Sequence, residues 1–476
     1  MRTRELPFLP PETAAERLRP LGMLAFLDSA MEHAALGRYS YVAADPFAVF
    51  TVDSDGAMLD GKRLEGPPLA ALKTLLARFA APTMPGLPPF QGGAMGMFAY
   101  DFAHHLERLA KPGGLDPAKP TLRLGLYDTV LAFDLKEKRA FLLATGYPEA
   151  GEDSRAARAE ARLAQFLARL AEPATQPAAE ASVPAGFDWH SNFFAAAYRA
   201  GIERTREYIL DGDIFQANIA QTFTSQIPSG FDPFALYLKL RRTNAAPFGA
   251  FFDFGDLAIA SSSPERFVSL QDGIVEARPI KGTAKRADDQ QEDARLAAEL
   301  LASEKDRAEN VMIVDLLRND IARVCEADSV EVPVLCGLES YAAVHHLVSV
   351  VTGRLAAGRD AADLIAAAFP GGSITGAPKI RAMDIITEIE ATARGPYCGS
   401  LGYIGFDGTM DLNIAIRTVS FEAGQAKLSA GGGITVLSDP AAEYEETFTK
   451  ATRVFAAFET APDTAPGRKA PEGEAP

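Results

Sequence analysis

One local pattern near the middle of the chain constrains its folding most: Phe267-Val268-Ser269-Leu270, Gln271-Asp272-Gly273, then Ile274-Val275-Glu276-Ala277. Two short apolar runs flank an Asp-Gly pair, which accepts the positive φ of a tight turn, so the pattern predicts a β-hairpin. Counting outward, Glu265 lies seven residues before Asp272, and Lys281 lies eight after Gly273. A three-residue loop would set these two directly opposite each other on one face. A two-residue loop would set them on opposite faces, because side chains alternate along a strand. A surface ion pair would tolerate either arrangement.

Composition removes several function classes. The chain has 476 residues, 47% of them hydrophobic and 23% charged, the balance of an ordinary globular protein. Its net charge of -16 argues against a nucleic-acid partner and against anionic membrane surfaces. Met1-Arg2-Thr3-Arg4-Glu5-Leu6-Pro7 has no apolar core of a secretion signal, and no apolar run is long enough to span a bilayer. A cytoplasmic location is expected. Cys325, Cys336 and Cys398 are too few and too scattered for a disulfide framework or a zinc cage.

Along the chain, residues 1–172 read as strands mixed with helices. Short strands are expected at Phe26-Leu27-Asp28-Ser29-Ala30 and Gly37–Ala43, and a hairpin from Thr129–Asp134 and Arg139–Ala144. The Gly-rich stretch Gln91–Asp101 suits close packing of elements, and a charged helix is expected at about 152–171. Glu172-Pro173-Ala174-Thr175-Gln176-Pro177-Ala178-Ala179 reads as an unfolded linker, placed at 173–186. A second region, 187–460, opens with a helix from Phe193 to Leu210, expected to be capped by Ser191 or Asn192. It closes with a meander from Ser400 to Ile434 that turns at Asp407-Gly408 and Ala423-Gly424. Residues 461–476, rich in Pro, Ala and charge, are expected to form a disordered tail.

Three features in the second region carry chemistry. The predicted helix 304–320 offers Asp306 and Glu309 at i and i+3. A helix capped by Asp439 and Pro440 stacks Glu443, Glu446 and Lys450. Carboxylates from two helices suit a hard cation such as Mg²⁺, although such faces are more often simply solvated. Phe369–Lys379 and Ser429–Ile434 are glycine-rich and can present backbone N–H groups to a carboxylate. The first lacks the spacing of a nucleotide phosphate loop, since Ala377-Pro378 separates Gly376 from Lys379. Arg417 falls in Asp411–Val419, which is apolar on both faces and so reads as a central strand. An arginine there must meet an anion, from the protein or from a ligand. His345-His346 in an apolar strand are ambiguous between core and catalytic roles.

Several stretches in order resemble the chorismate-utilising enzymes: Gly212–Gln221, Ser262–Phe267, Ala308–Asp320, His345–Ser349, Gly372–Lys379, Gly399–Arg417 and Ala430–Lys450. Gly37-Arg38-Tyr39-Ser40-Tyr41 and Gly92-Gly93 match more loosely in the N-terminal, anthranilate-synthase-I-like region. The resemblance implies a mixed α/β fold, a β-sandwich core flanked by helices. Two positions sort its branches. Lys281 stands where anthranilate synthases carry a small residue and aminodeoxychorismate synthases carry lysine. Gln216 stands where water-adding relatives carry a lysine base.

The resemblance therefore implies amination of chorismate to 4-amino-4-deoxychorismate, for p-aminobenzoate and folate. Lys281 would be a covalent nucleophile and Glu265 the acid and base, with His346 matching a family histidine. Arg278, Lys285 and Arg286, together with burial, would keep Lys281 neutral. Mg²⁺ on Glu309 and Glu446, with Glu443 and Asp306 behind them and Lys450 close by, would hold the ring carboxylate. Arg417, Tyr397 and the amides of Gly431, Gly432 and Gly433 would hold the enolpyruvyl carboxylate, and Ser373 keeps the hydroxyl of a family threonine. No glutaminase segment is legible, so a glutamine amidotransferase subunit would supply ammonia. No lyase segment follows residue 456 either, so pyruvate release would need another enzyme. Relatives also often bind tryptophan in a pocket that corresponds here to Ser29, Arg38, Tyr39, Pro247 and Phe248. Asp28 for glutamate, and Asn244-Ala245-Ala246-Pro247 for Asn-Pro-x-Pro, depart from that pattern and favour plain packing. The competing readings are an anthranilate synthase large subunit and a non-catalytic subunit that activates a glutaminase. If Lys281 and Glu265 face one cavity, the hairpin should have a three-residue loop, or a bulge near Pro264 or Pro279.

Overall fold

The computed structural model describes residues 1–31, 36–172, 186–341 and 344–458. The expected linker, apart from Gly186, and the expected tail lie outside the described residues. Two twelve-stranded antiparallel sheets face each other. Their shared interior is lined from one sheet by Tyr41, Val130, Phe252 and Ile259, and from the other by Met95, Met97, Leu401 and Tyr403. Helices cover both outer faces. Pro11–Leu18, Glu152–Ala171, Pro233–Thr243 and Pro440–Ala456 pack on one sheet, burying Phe166, Phe223, Phe234 and Phe455. Pro68–Ala77, Glu304–Ala322 and Ala361–Ala368 pack on the other, around Leu72, Ile313, Leu317 and Ile365. Each such side chain contributes about 1.5–3 kcal/mol on burial. This is the helix-flanked sandwich expected above.

The two sequence regions share both sheets. Ala25–Asp28 pairs with Phe248–Asp253, and Gly93–Phe98 pairs with Ser400–Gly405, so each sheet is built from strands of both regions. The C-terminal meander is likewise divided between the sheets. Ser400–Gly405 and Met410–Asn413 belong to one, Thr418–Glu422 and Gln425–Ile434 to the other. Arg417 is therefore not in a central strand. It sits at φ 51° in the crossover between the sheets, and the run before it reads as apolar because Ile414 and Ala415 are buried where the chain crosses the core.

Of the two arrangements expected for the hairpin, the structure has the shorter loop, together with a register shift close to Pro264. Ser269↔Glu276, Leu270↔Val275 and Gln271↔Ile274 are paired, leaving a two-residue loop with Asp272 at φ 53° and Gly273 at φ 74°. Continued outward, that register would put Glu265 and Lys281 on opposite faces. It does not continue. Ile274–Ala277 and Ile280–Lys285 both pair with Val344–Arg354, in one register as far as Lys281, while the first strand has a register shift between Arg266 and Val268 and leaves for the other sheet beyond it. The helix Ala195–Leu210 also starts later than expected, with Phe194 at its N-cap and no capping side chain. Ser191 instead accepts from Phe193 N, and Asn192 accepts from Thr222 N.

Candidate active site

The site forms where the chain passes from one sheet to the other. Leu257–Ser263 and Thr418–Glu422 pair in one sheet, Arg266–Gln271 and Met410–Asn413 in the other, so residues 264–265 and 414–417 make neighbouring crossovers. Ile414 N donates to Glu265 O at 3.0 Å, Ser263 Oγ to Ile414 O at 2.6 Å, and Ser262 N to Arg417 O at 3.2 Å. These bonds fix Glu265 and Arg417 on backbone that no single strand register controls.

Glu265 is buried, and its Oε1 accepts a hydrogen bond from Ser373 Oγ at 2.9 Å. Burial raises its pKa, opposed by that bond, by the Lys281 ammonium, by the Ile280 backbone and by Arg417. Ser373 also receives Lys281, whose Nζ donates to Ser373 O at 3.3 Å. The turn Gly372–Ile374 thus places one residue between the two groups that the sequence singled out. Burial lowers the pKa of Lys281, and Lys450 lowers it further, against the pull of Glu309, Glu265 and Glu446. Two of the cations expected to act on Lys281 are engaged elsewhere: Arg278 pairs with Glu339, and Arg286 with Asp293 at 2.8 Å.

The strand Gln425–Ile434 forms the floor. A Cβ added at Gly432 would lie 3.1 Å from Glu443 Oε2, 3.4 Å from Lys450 Nζ and 3.6 Å from Glu446 Oε1. One at Gly433 would clash outright with Gln216 Nε2 and lie 3.5 Å from Lys281 Nζ. These glycines leave room for polar side chains to converge on the strand. Lys450 bridges Gly431 O at 2.9 Å and Glu446 at 2.7 Å. Glu443 accepts from Ser438 Oγ at 2.6 Å. From the facing helix, Glu309 lies 4.0 Å from Lys305, and Asp306 accepts from Ser303 Oγ at 2.6 Å, its Cβ close against Gly282.

Burial and carboxylate repulsion raise Glu309, through Asp306 and Glu446, and raise Glu443, through Glu446. Lys450 holds Glu446 below its ordinary value against its own burial. Among the described residues no three metal-ligating side chains already form a cage. The donor set is nevertheless all carboxylate, mutually repelling and partly neutralised by two lysines. That chemistry fits a hard divalent cation.

Arg417 forms no ion pair among the described residues, and burial and Arg453 lower its pKa while Glu265 supports its charge. A half-buried guanidinium without a carboxylate partner is a ready anion site. Tyr397 is buried nearby in sequence, its hydroxyl raised by burial. His346 shares a hydrogen bond of 2.8 Å between Nδ1 and Thr283 Oγ1. Burial and Arg417 bring its pKa to about 4, so the ring is neutral near pH 7. Ser29, Arg38, Tyr39, Pro247 and Phe248 do not form the solid packing expected above. They line part of a cavity of about 580 Å³ on the other side of the hairpin, where Arg266, Glu276 and Asp411 also face it.

The sequence placed Gln216 only at the position of a lysine base in water-adding relatives and gave it no contact of its own. Both polar atoms of its side chain are buried without a hydrogen-bond partner, beside Gly433 and Lys281. Its place in the stretch Gly212–Gln221 was the available signal.

A family model described as chorismate binding enzyme matches residues 27–456. Aminodeoxychorismate synthase component 1 of Klebsiella aerogenes is 44% identical over 372 residues, covering 78% of this chain and 78% of that protein. Anthranilate synthase component 1 of Pseudomonas aeruginosa is 38% identical, covering 88% of this chain and 87% of that protein. Among solved structures, anthranilate synthase component I from Streptococcus pneumoniae superposes with a TM-score of 0.79 at 34% identity, covering 88% of this chain and 92% of that one. The chain belongs to the chorismate binding enzyme family.

A first prediction follows from the floor of the site. Gly433→Ala pushes the Gln216 amide into the space beside Lys281 while leaving the strand pairing intact. Chorismate binding measured by calorimetry should weaken by about tenfold or more, with the melting temperature little changed. Unchanged affinity would place the substrate elsewhere.

Proposed function

We propose that the chain is the large subunit of an aminodeoxychorismate synthase, acting with a separate glutamine amidotransferase that supplies ammonia. The observation that carries this reading is the pair Lys281 and Glu265, both bonded to Ser373 within one polar site. The names of the relatives at 44% identity favour the same branch over anthranilate synthase.

In this reading the neutral Lys281 amine attacks ring carbon 2 of chorismate. Both conjugated ring double bonds shift away from carbon 2, around the ring to carbon 4, and the bond from carbon 4 to its hydroxyl breaks. Glu265, whose protonated form burial favours, gives its proton to that hydroxyl, which leaves as water. Ammonia then attacks carbon 4, both double bonds shift back, and the carbon 2–Lys281 bond breaks, leaving 4-amino-4-deoxychorismate. The Glu265 carboxylate takes the surplus proton from the incoming amine, which restores the acid, and Lys281 leaves as the neutral amine. Arg417 and the Gly431–Gly433 strand would hold the enolpyruvyl carboxylate with Tyr397, and Gln216 has free amide atoms facing the same space. A magnesium ion on Glu309 and Glu446, with Glu443 and Asp306 behind them, would supply positive charge to anchor the ring carboxylate. Lys450 and Lys305 would release their carboxylates to it.

Incubation with chorismate, Mg²⁺ and ammonium distinguishes the branches. The expected product is non-fluorescent and becomes p-aminobenzoate only when a lyase is added. Fluorescent anthranilate appearing without a lyase would assign the chain to the other branch. For the metal, Glu309→Gln should raise the Mg²⁺ concentration for half-maximal binding, read by calorimetry, by about 10–100-fold. An unchanged Mg²⁺ isotherm would remove Glu309 from the ligand set.

A further inference from the structure

Beneath the site lies an ion pair that the mechanism does not use. Arg394 and Glu390 are both buried. Arg394 Nε donates to Glu390 Oε2 at 2.9 Å and Nη2 to Glu390 Oε1 at 2.6 Å. Nη1 donates to Ile374 O at 3.0 Å, and Nη2 also to Asn218 O at 2.6 Å. Glu390 Oε1 accepts in addition from Ala220 N at 2.8 Å. The guanidinium lies 4.6 Å from the Tyr100 ring centroid and 5.7 Å from that of Tyr397.

Three segments of the site therefore meet on one side chain. Ile374 follows Ser373 in the turn that touches both Lys281 and Glu265. Asn218 lies two residues beyond Gln216 in the strand Gln216–Gln226, which pairs with the glycine strand. Tyr397 is an expected substrate contact. A planar, always charged fork can hold two carbonyls and a carboxylate at once, whereas a lysine ammonium cannot reproduce that geometry.

We infer that Arg394 is a positioning residue for the reaction: it holds the Gly372–Ile374 turn against the strand Gln216–Gln226, so that Ser373 sits between Lys281 and Glu265. It touches no reacting atom. The inference rests on the chorismate reading above, and it adds a residue that fixes the spacing of the two catalytic groups. Because the Ser373 hydroxyl opposes the rise of the Glu265 pKa, loosening the turn also carries a titration signature.

The test is Arg394→Lys, assayed by consumption of chorismate whatever the product. The expected result is a kcat lower by about 30–100-fold, the scale of a displacement near 1 Å, with KM within about threefold. The limb on which activity falls with rising pH should move to higher pH, since Glu265 loses the bond that lowers its pKa. If this variant does not fold, Tyr100→Leu leaves every guanidinium bond available and removes only the ring beneath. It should show the same split at about a threefold to tenfold lower kcat. A kcat unchanged within twofold in the folded variant overturns the proposal. So does a loss of kcat and KM together, in step with a lower melting temperature and with the pH limb unmoved. Wild-type protein that consumes no chorismate would instead refute the functional reading itself, and this proposal with it.

Discussion

Lys281→Ala should abolish amination at ring carbon 4, lowering turnover by about 10³-fold or more. The side chain is half-buried, donates to Ser373 O and faces Glu265, Glu309 and Glu446, so its removal takes away the proposed nucleophile without emptying the apolar core. The fold should survive, because Lys281 lies in the strand Ile280–Lys285, whose pairing with Val344–Arg354 is backbone-borne. Residual turnover should consist of direct addition at ring carbon 2, read as anthranilate fluorescence without added lyase. Lysine-independent production of aminodeoxychorismate at the wild-type rate would show that the amine at this position is not the nucleophile.

Glu265→Gln is expected to lower kcat by about 10²–10⁴-fold, the usual contribution of a positioned acid. The amide keeps the shape of the carboxyl group and can still accept from Ser373 Oγ, so KM should move little. The wild-type pH profile should be a bell whose limbs belong to the coupled Lys281–Glu265 pair, and this variant should lose one limb. Stability should move the other way. The folded-state pKa of Glu265 is raised, so its favourable contribution is present below the ordinary carboxylate range and is lost as pH rises through the folded value. The amide of the variant cannot ionise. The variant should therefore melt at or above the wild-type temperature at pH 8, with the difference vanishing near pH 4. Lower stability at pH 8 would mean that the ionised carboxylate is well solvated, contrary to its burial.

Most helices and the hairpin turn were legible in the residues themselves, because periodicity, the Asp-Gly turn and the Asp439 cap are local signals, whereas the sandwich and the grouping of the site residues came from the resemblance to a family, since periodicity gives only mixed α and β. Where reading failed, the cause was a change of partner. From the turn alone, Glu265 and Lys281 belong on opposite faces, and the two-residue loop obeys that count. They meet because the first strand shifts register between Arg266 and Val268 and crosses to the other sheet at Glu265 while Lys281 stays on Val344–Arg354, which no local register reveals. Arg417 was misplaced for the same reason. An apolar run that crosses between two sheets reads like a buried strand, and only pairing shows Asn413 and Thr418 in different sheets. Glu390 and Arg394 were invisible for a different reason, since an i,i+4 pair at a helix end normally reads as solvated surface.

The most direct test of the account is an intact-mass measurement on wild-type protein held with chorismate and Mg²⁺ but without ammonium, followed by peptide mapping. The account predicts a covalent adduct of the dehydrated substrate on the peptide containing Lys281, discharged when ammonium is added. An adduct on any other residue, or none under conditions where the protein turns chorismate over with ammonium, would contradict it.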